Sequence, residues 1–274
     1  MNIDLTINTD LARIILTGFI KSEITRAGYS RAVVGLSGGI DSALSFVLAV
    51  EALGVENVRA VRMPYKSSSP DSLEHAQLMI DQFKVPNETI DITALVDPLI
   101  EHDPQMSKTR KGNIMARARM IVLYDQSEDF KGLVVGTSNK TEILLGYTTQ
   151  WGDSASAINP IGDLYKTQLR QLSKAMGIPQ PIIDKVPSAD LWTGQTDEGE
   201  LGFTYAQVDQ LLYLLVDQRY SSQECVEAGF DEKFVDAVVK RVRRFQFKRM
   251  QPPIAKLSNR TIGYDFLYLR DWGT

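Results

Sequence analysis

The chain has 274 residues, enough for one large α/β domain or one domain with an appendage. A net charge of −4 gives no bulk attraction to nucleic acid, and no apolar run approaches the roughly 20 residues of a membrane helix. The single cysteine, Cys225, leaves no internal disulfide and no thiolate metal cluster; the N-terminus lacks the basic and apolar regions of a secretory signal, so a cytoplasmic location is expected.

In chain order, Thr9–Ala27 reads as a helix with Leu11, Ile14, Ile15, Gly18, Phe19 and Ile24 on one face. Ala32–Leu36 is a continuous apolar run, as expected of a strand buried in a parallel sheet. A Ser-Gly-Gly turn leads into a helix over Ser42–Leu53. Asn57–Met63 is a second strand; the polar loop Pro64–Ser69 precedes a helix that starts at Pro70-Asp71 and runs through Leu73–Phe83. Strands over Glu88–Ile92 and Leu133–Gly136 flank a long helix near Lys108–Ser127, and Thr137-Ser138-Asn139 opens the next helix. This β-α-β-α rhythm predicts a doubly wound parallel sheet with helices on both faces, and ligands outside the carboxyl ends of the strands. Beyond Tyr165 the chain is helical: Lys166–Met176, Tyr205–Val216, Gln223–Ala228 and Phe234–Phe245. Val186–Gly202 is polar and rich in turn formers, which predicts a mobile loop, and the tail Pro252–Thr274 is expected to rest on a neighbour.

The stretch Gly35-Leu36-Ser37-Gly38-Gly39-Ile40-Asp41-Ser42 joins a strand to a helix start. That geometry aims backbone N–H groups at an anion, and the glycines let phosphate oxygens approach closely. Asp41 beside a phosphate calls for a cation between them, most simply Mg²⁺. No Lys-Ser or Lys-Thr follows the glycines, so this is not a Walker A loop. Ser-Gly-Gly alone is equally compatible with a tight structural turn. Glu142 falls in the first turn of the next helix and could share a metal with Asp41; without the first loop, a capping acid would be the better reading. Asn113 and Arg117 lie four apart on one helix face, facing an anionic ligand or only solvent. Lys166 opens a helix, where a cation is misplaced unless it meets an anion. Lys240-Arg241-Val242-Arg243-Arg244, with Lys248 and Arg249, reads first as the solvated basic face of an amphipathic helix; a nucleic-acid patch is the alternative, against the acidic balance of the rest of the chain.

The strand-Ser-Gly-Gly-x-Asp-Ser-helix unit resembles the pyrophosphate loop of the N-type ATP pyrophosphatases, which split ATP between the α and β phosphates. Further motifs resemble the NAD synthetases within that group. They are Gly-Asn-Ile-Met-Ala-Arg-Ala-Arg-Met at 112–120, Gly-Thr-x-x-x-x-Glu at 136–142 and Gly-Tyr-x-Thr-x-x-Gly-Asp at 146–153. Asn-Pro-Ile-Gly-Asp-Leu-Tyr-Lys-Thr-Gln at 159–168, Pro-Ser-Ala-Asp-Leu-Trp at 187–192 and Gln-Thr-Asp-Glu-Gly-Glu-Leu-Gly-Phe-Thr-Tyr at 195–205 complete the set, in order, from about Leu11 to Arg249. The resemblance implies an adenine nucleotide alpha hydrolase-like fold with a helical C-terminal extension. Within 1–274 it implies a core over about 10–185, a lid over about 186–202 and C-terminal helices and tail over 203–274.

The resemblance also implies that this is a ligase. It would amidate deamido-NAD with ammonia through an acyl-adenylate and release AMP and pyrophosphate. Gly35, Leu36, Ser37, Gly38, Gly39, Ile40, Asp41 and Ser42, with Thr137, Lys166 and Ser188, would bind ATP. Asp41, Glu142 and Lys166 would be catalytic, and Asp41 and Glu142 would hold Mg²⁺. Arg117, Gln150, Ala157, Asp197, Glu198, Phe247 and Lys248 would meet deamido-NAD. Family members often have Lys where Gln150 stands and Asp where Ala157 stands. Relatives are homodimers that take small-molecule substrates, with no role for nucleic acid or membrane; a separate glutaminase could supply the ammonia. Open alternatives are another amidating member of the group, such as GMP synthetase, and a non-catalytic adenine-nucleotide binding module.

Overall fold

The computed structural model describes residues 3–192, 194–263, 265 and 266. Helix α1 (Thr9–Arg26) precedes strand β1 (Ala32–Gly35), helix α2 (Ile40–Leu53) and strand β2 (Val58–Arg62). Helix α3 (Pro70–Phe83), strand β3 (Asn87–Thr89), helices α4 (Thr93–Glu101) and α5 (Lys108–Phe130) and strand β4 (Leu133–Val135) follow. The rest is helical: α6 (Lys140–Leu145), α7 (Lys166–Ala175), α8 (Gln180–Asp184), α9 (Asp197–Leu201), α10 (Tyr205–Leu212), α11 (Ser222–Glu227) and α12 (Glu232–Arg244).

The four strands form one parallel sheet in the order β3-β2-β1-β4, with Val34 opposite Ala60 and Val135. Its two faces are read directly from the alternation of β1. Ala32 and Val34 join Leu44, Phe46 and Leu48 of α2 in one core, whereas Val33 joins Val96 of α4 and Met115 and Val122 of α5 in another. A strand covered on both sides has no polar face, which is why β1 is apolar throughout. A third cluster lies off the sheet, where Tyr205, Val208, Leu211 and Leu212 of α10 meet Cys225, Val235 and Val238, with Leu145 and Tyr165.

Several elements differ from the sequence reading. Helix α1 turns Ile20 and Ile24 inward and leaves Leu11, Ile14 and Ile15 exposed, so the expected single apolar face is split. Its contact with α2 selects the face with Leu16, Phe19, Ile20 and Ile24. The third strand is shorter and earlier than Glu88–Ile92; Ile92 instead begins the turn into α4. Helix α4 was masked in the sequence by its internal Pro98. Helix α2 starts two residues before Ser42. The polar stretch Val186–Gly202 contains the helical turn α9, capped by Thr196, whose side chain accepts the Gly199 N–H. Of the expected tail, residues 264 and 267–274 lie outside the described residues, and Ile254, Leu257 and Ile262 before them are exposed.

Candidate active site

Two strand ends and one helix start build the site. At the end of β1, Gly38 has φ +75°, and a Cβ there would lie 2.1 Å from the carbonyl oxygen of Ser72, so only glycine fits. The turn is stapled by Ser42: its Oγ accepts the Ser37 N–H at 3.2 Å and donates to the Gly39 carbonyl at 2.9 Å. Gly39 caps α2 without a side chain, so the first-turn N–H groups are not consumed by a local cap. At the end of β4, Asn139 and Glu142 form a capping box: Asn139 Oδ1 accepts the Glu142 N–H at 3.0 Å, and the Glu142 carboxylate accepts the Asn139 N–H at 3.4 Å. The amide of Asn139 also donates to Asp41 Oδ1 at 2.7 Å, which joins the two strand ends.

Lys166, the first residue of α7, closes the arrangement. Its Nζ lies 2.5 Å from Asp41 Oδ2 and 3.1 Å from Glu142 Oε1. The lysine side chain is 2 % exposed against 19 % for Asp41 and 14 % for Glu142, so the ammonium is the most enclosed of the three. Burial works against that ammonium, yet Asp41 first and Glu142 second hold its pKa above the ordinary lysine value. Burial pushes the Glu142 carboxyl up to about 8, against the pull of Lys166 and with the added push of Asp41. The Lys166 ammonium also lies 5.1 Å from the centre of the Tyr205 ring.

These groups form the wall of a cavity of about 770 Å³ that also takes in α3, α5, the 186–197 segment and α12. Gly35, Leu36, Ser37, Gly39, Ile40, Asp41, Ser42, Thr137, Glu142, Lys166, Ser188, Asp197 and Lys248 all line it. Gly38 sits behind the turn against Ser72. Arg117 is exposed on the outer face of α5 and donates to the Gln150 carbonyl at 3.1 Å, while Asn113 on the same helix lines the cavity. Ala157 is exposed, Phe247 is exposed, and Glu198 accepts the Tyr205 N–H at 2.8 Å as a helix cap. Within one chain, therefore, Arg117, Gln150, Ala157, Glu198 and Phe247 do not line the cavity with the other named residues.

The basic run near the C-terminus keeps Lys240, Arg243 and Arg244 on the expected solvated face, but turns Arg241, Lys248 and Arg249 inward. Arg241 donates to the Leu145 carbonyl at 3.0 Å, Arg249 to the Ile143 and Leu144 carbonyls at 3.2 and 2.7 Å, and Lys248 to the Gly146 and Thr148 carbonyls at 2.8 and 2.5 Å. Three cations thus satisfy the free carbonyls at the end of α6, which neighbour composition could not reveal. The 186–202 segment makes hydrogen bonds to its surroundings. Asp190, at φ +50°, accepts the Ser69 N–H and, at 2.9 Å, the Ser72 hydroxyl. Tyr147 donates to Glu200 at 2.8 Å, Gln195 to the other Glu200 oxygen at 3.1 Å, and Tyr205 to Asp197 at 3.0 Å. Asn139, Asp190, Glu200 and the half-buried Arg119 were not singled out by sequence; only the capping box around Asn139 carried a local signal, Asn followed three residues on by Glu.

The donor set at the strand ends is oxygen-only. Among the described residues no group of three or more His, Cys, Asp or Glu converges as a metal cage. Asp41 and Glu142 nevertheless converge on a single cation, the Lys166 ammonium, so both carboxylates already face one cationic position. A pair of carboxylates with room for phosphate oxygens suits a hard divalent ion.

The sequence model of the NAD synthase family matches residues 14–252. The chain is 56 % identical over 269 residues to the NH(3)-dependent NAD(+) synthetase of Trichlorobacter lovleyi, covering 98 % of each chain. Among solved structures it resembles the NH3-dependent NAD synthetase of Campylobacter jejuni, with a TM-score of 0.78, 32 % identity and coverage of 91 % of this chain and 100 % of that one. It also resembles the NMN synthetase of Francisella tularensis, with a TM-score of 0.81, 29 % identity and coverage of 91 % and 99 %. With the family model matched over most of its length and relatives above half identity end to end, this chain belongs to the NAD synthase family.

Proposed function

We propose that this chain is an ammonia-dependent NAD synthetase that makes NAD from deamido-NAD, ATP and ammonia. The observation that carries the reading is the Asp41–Lys166–Glu142 cluster beside the Ser37–Ser42 turn, on the wall of one large cavity, in a member of this family. The nicotinate carboxylate oxygen attacks the α-phosphorus of ATP, and the bond to the bridging oxygen breaks to release pyrophosphate. The turn N–H groups and the Lys166 ammonium receive the charge that develops on the phosphate oxygens. The nitrogen lone pair of NH₃ then attacks the acyl carbon, AMP leaves, and a proton is lost to give the amide. No side-chain nucleophile is needed; the residues position reactants and stabilise charge. Asp41 and Glu142 would hold Mg²⁺ together with ATP, and the ion would offset phosphate charge there. The segment 186–202 would cover the adenylate and keep water from it.

Free ammonia as nitrogen source is supported by the state of the one thiol. Cys225 is fully buried in the helical cluster, and burial pushes its pKa up, the reverse of an activated nucleophile. A dimer is supported by α5: Arg117, Ile121 and Tyr124 recur at helical spacing on an exposed face beside the exposed Leu95 and Leu99 of α4. In a two-fold dimer over this face, Arg117, Gln150 and their neighbours would reach the partner's cavity, so sedimentation should find a dimer. A fully active monomer would refute that part. For the reaction, ATP, Mg²⁺ and deamido-NAD are supplied with ammonium or with glutamine, and NAD, AMP and pyrophosphate are counted. One NAD per AMP with ammonium, rising with pH as NH₄⁺ gives up its proton, is expected. AMP without NAD, or NAD from glutamine alone, would overturn the reading. Nicotinate mononucleotide in place of deamido-NAD tests whether the shorter substrate also serves.

A further inference from the structure

The most deeply enclosed carboxylate near the site lies outside it. Asp209, on α10, is 0 % exposed and does not line the cavity. Its Oδ1 accepts the Thr141 hydroxyl at 2.6 Å, and its Oδ2 accepts the Thr167 N–H at 2.8 Å. Thr141 Oγ1 in turn accepts the Lys166 N–H at 3.0 Å. The first two N–H groups of α7 have no partner within their own helix, and a carboxylate three elements away satisfies one directly and the other through a hydroxyl.

The consequence is one of placement. Thr141 is the neighbour of Glu142, and Thr167 is the neighbour of Lys166. A single carboxylate therefore ties together the chain neighbours of the two residues whose side chains meet at 3.1 Å. Residue Tyr165, the N-cap of α7, gives the helix no hydroxyl or carboxylate cap of the usual short kind, so the cap comes from elsewhere in the chain. Burying a charge this completely is costly unless it is hydrogen-bonded, and each Asp209 oxygen has a donor that joins it to the neighbour of a site residue. We propose that Asp209 is a positioning residue for the reaction: through Thr141 and the first turn of α7 it sets the Lys166 ammonium against Asp41 and Glu142.

The proposal rests on the functional reading above, and its test separates the two. Asp209→Asn replaces one acceptor oxygen with a donor, so the Thr141 and Thr167 bonds cannot both persist in their present sense. In NAD formation from ammonia, kcat should fall about tenfold to a hundredfold while the KM for ATP moves far less, because a displaced charge matters most where charge develops. Thr141→Val should reproduce the loss and Thr141→Ser should restore the rate, since serine keeps the relay oxygen; Thr141→Val also stands in if Asp209→Asn fails to fold. In a Lys166→Ala background, Asp209→Asn should cost almost nothing further, whereas general weakening of the fold would add its full effect. A crystal structure of Asp209→Asn should show Nζ of Lys166 withdrawn from Glu142. An unchanged kcat in a folded variant, additive losses in the double variant, or Lys166 unmoved would overturn the proposal. An unsubstituted chain that makes no NAD would refute the functional reading instead, and the crystal structure would still decide the placement.

Discussion

The sheet-end half of the site and the helical half obtain their precision differently. Around β1 and β4, local sequence does nearly everything: Gly38 makes the turn, Ser42 staples it, and Asn139 and Glu142 cap α6 within four residues of each other. Around α7, α10 and α12 almost nothing is local. Lys166 is held by Asp41 and Glu142 from two other helices, the first turn of α7 by Asp209, and the end of α6 by Arg241, Lys248 and Arg249 from far along the chain. The difference teaches that a parallel sheet delivers backbone N–H groups and carboxylates to its edge by topology alone. Placing a buried cation among them requires side chains recruited from elsewhere, because a buried ion must be surrounded to be tolerated.

If the halves divide the work this way, the largest effect should come from the charge they share. Lys166→Ala should lower kcat about a thousandfold by removing a charge aimed at the phosphates. It should leave two carboxylates facing each other, so Mg²⁺-dependent thermal stabilisation should increase in the same variant; a melt series with and without Mg²⁺ checks both. Asp41→Asn and Glu142→Gln should keep the fold and lose about a hundredfold in Mg²⁺-dependent turnover. Near-normal rates at limiting Mg²⁺ in both would remove the sheet-end carboxylates from the metal assignment.

A smaller effect concerns pH. The Glu142 carboxyl is raised from 4.5 to about 8 in the folded chain, so between those values the folded state holds a proton that the unfolded state has lost. Stability from this group is complete below pH 4.5 and is lost as pH rises through about 8. Denaturant melts of Glu142→Gln should therefore decline less steeply over that window than those of the parent. Equal slopes would show that Lys166 keeps Glu142 ionised throughout.

The ties over the 186–202 segment should matter less to chemistry than to closure. Tyr147→Phe removes the bond to Glu200 and should raise the KM for deamido-NAD a few-fold with little change in kcat. Amide exchange across 186–202 should slow when ATP and deamido-NAD bind; exchange already slow in the free protein would leave this segment no gating role. The smallest effect belongs to Cys225→Ser. A hydroxyl in the α10–α12 cluster should cost about 1–3 kcal/mol of stability. The rate from ammonia should be unchanged, and loss of that rate would bring the thiol into the reaction.

The α/β/α sheet and the residues at its carboxyl edge are legible in the amino-acid order alone. Apolar strands, glycine turns and helix starts are short-range signals, and Ser37–Ser42, Thr137–Glu142 and Lys166 each announce themselves within one strand-turn-helix unit or one helix start. Which distant groups meet is settled by docking of the elements. The period of α1 offered several apolar residues, and contact with α2 chose Ile20 and Ile24 while leaving Leu11, Ile14 and Ile15 outside. Lys240, Arg243 and Arg244 are solvated as their pattern suggests, but Arg241 of α12 and Arg249 beyond it meet the free carbonyls of α6. Asp209 reads as an ordinary polar position between Val208 and Gln210, yet it is fully buried. The physical reason is common to all three: hydrogen-bonding and burial partners are fixed by how elements dock, and docking brings together residues whose separation along the chain carries no local pattern.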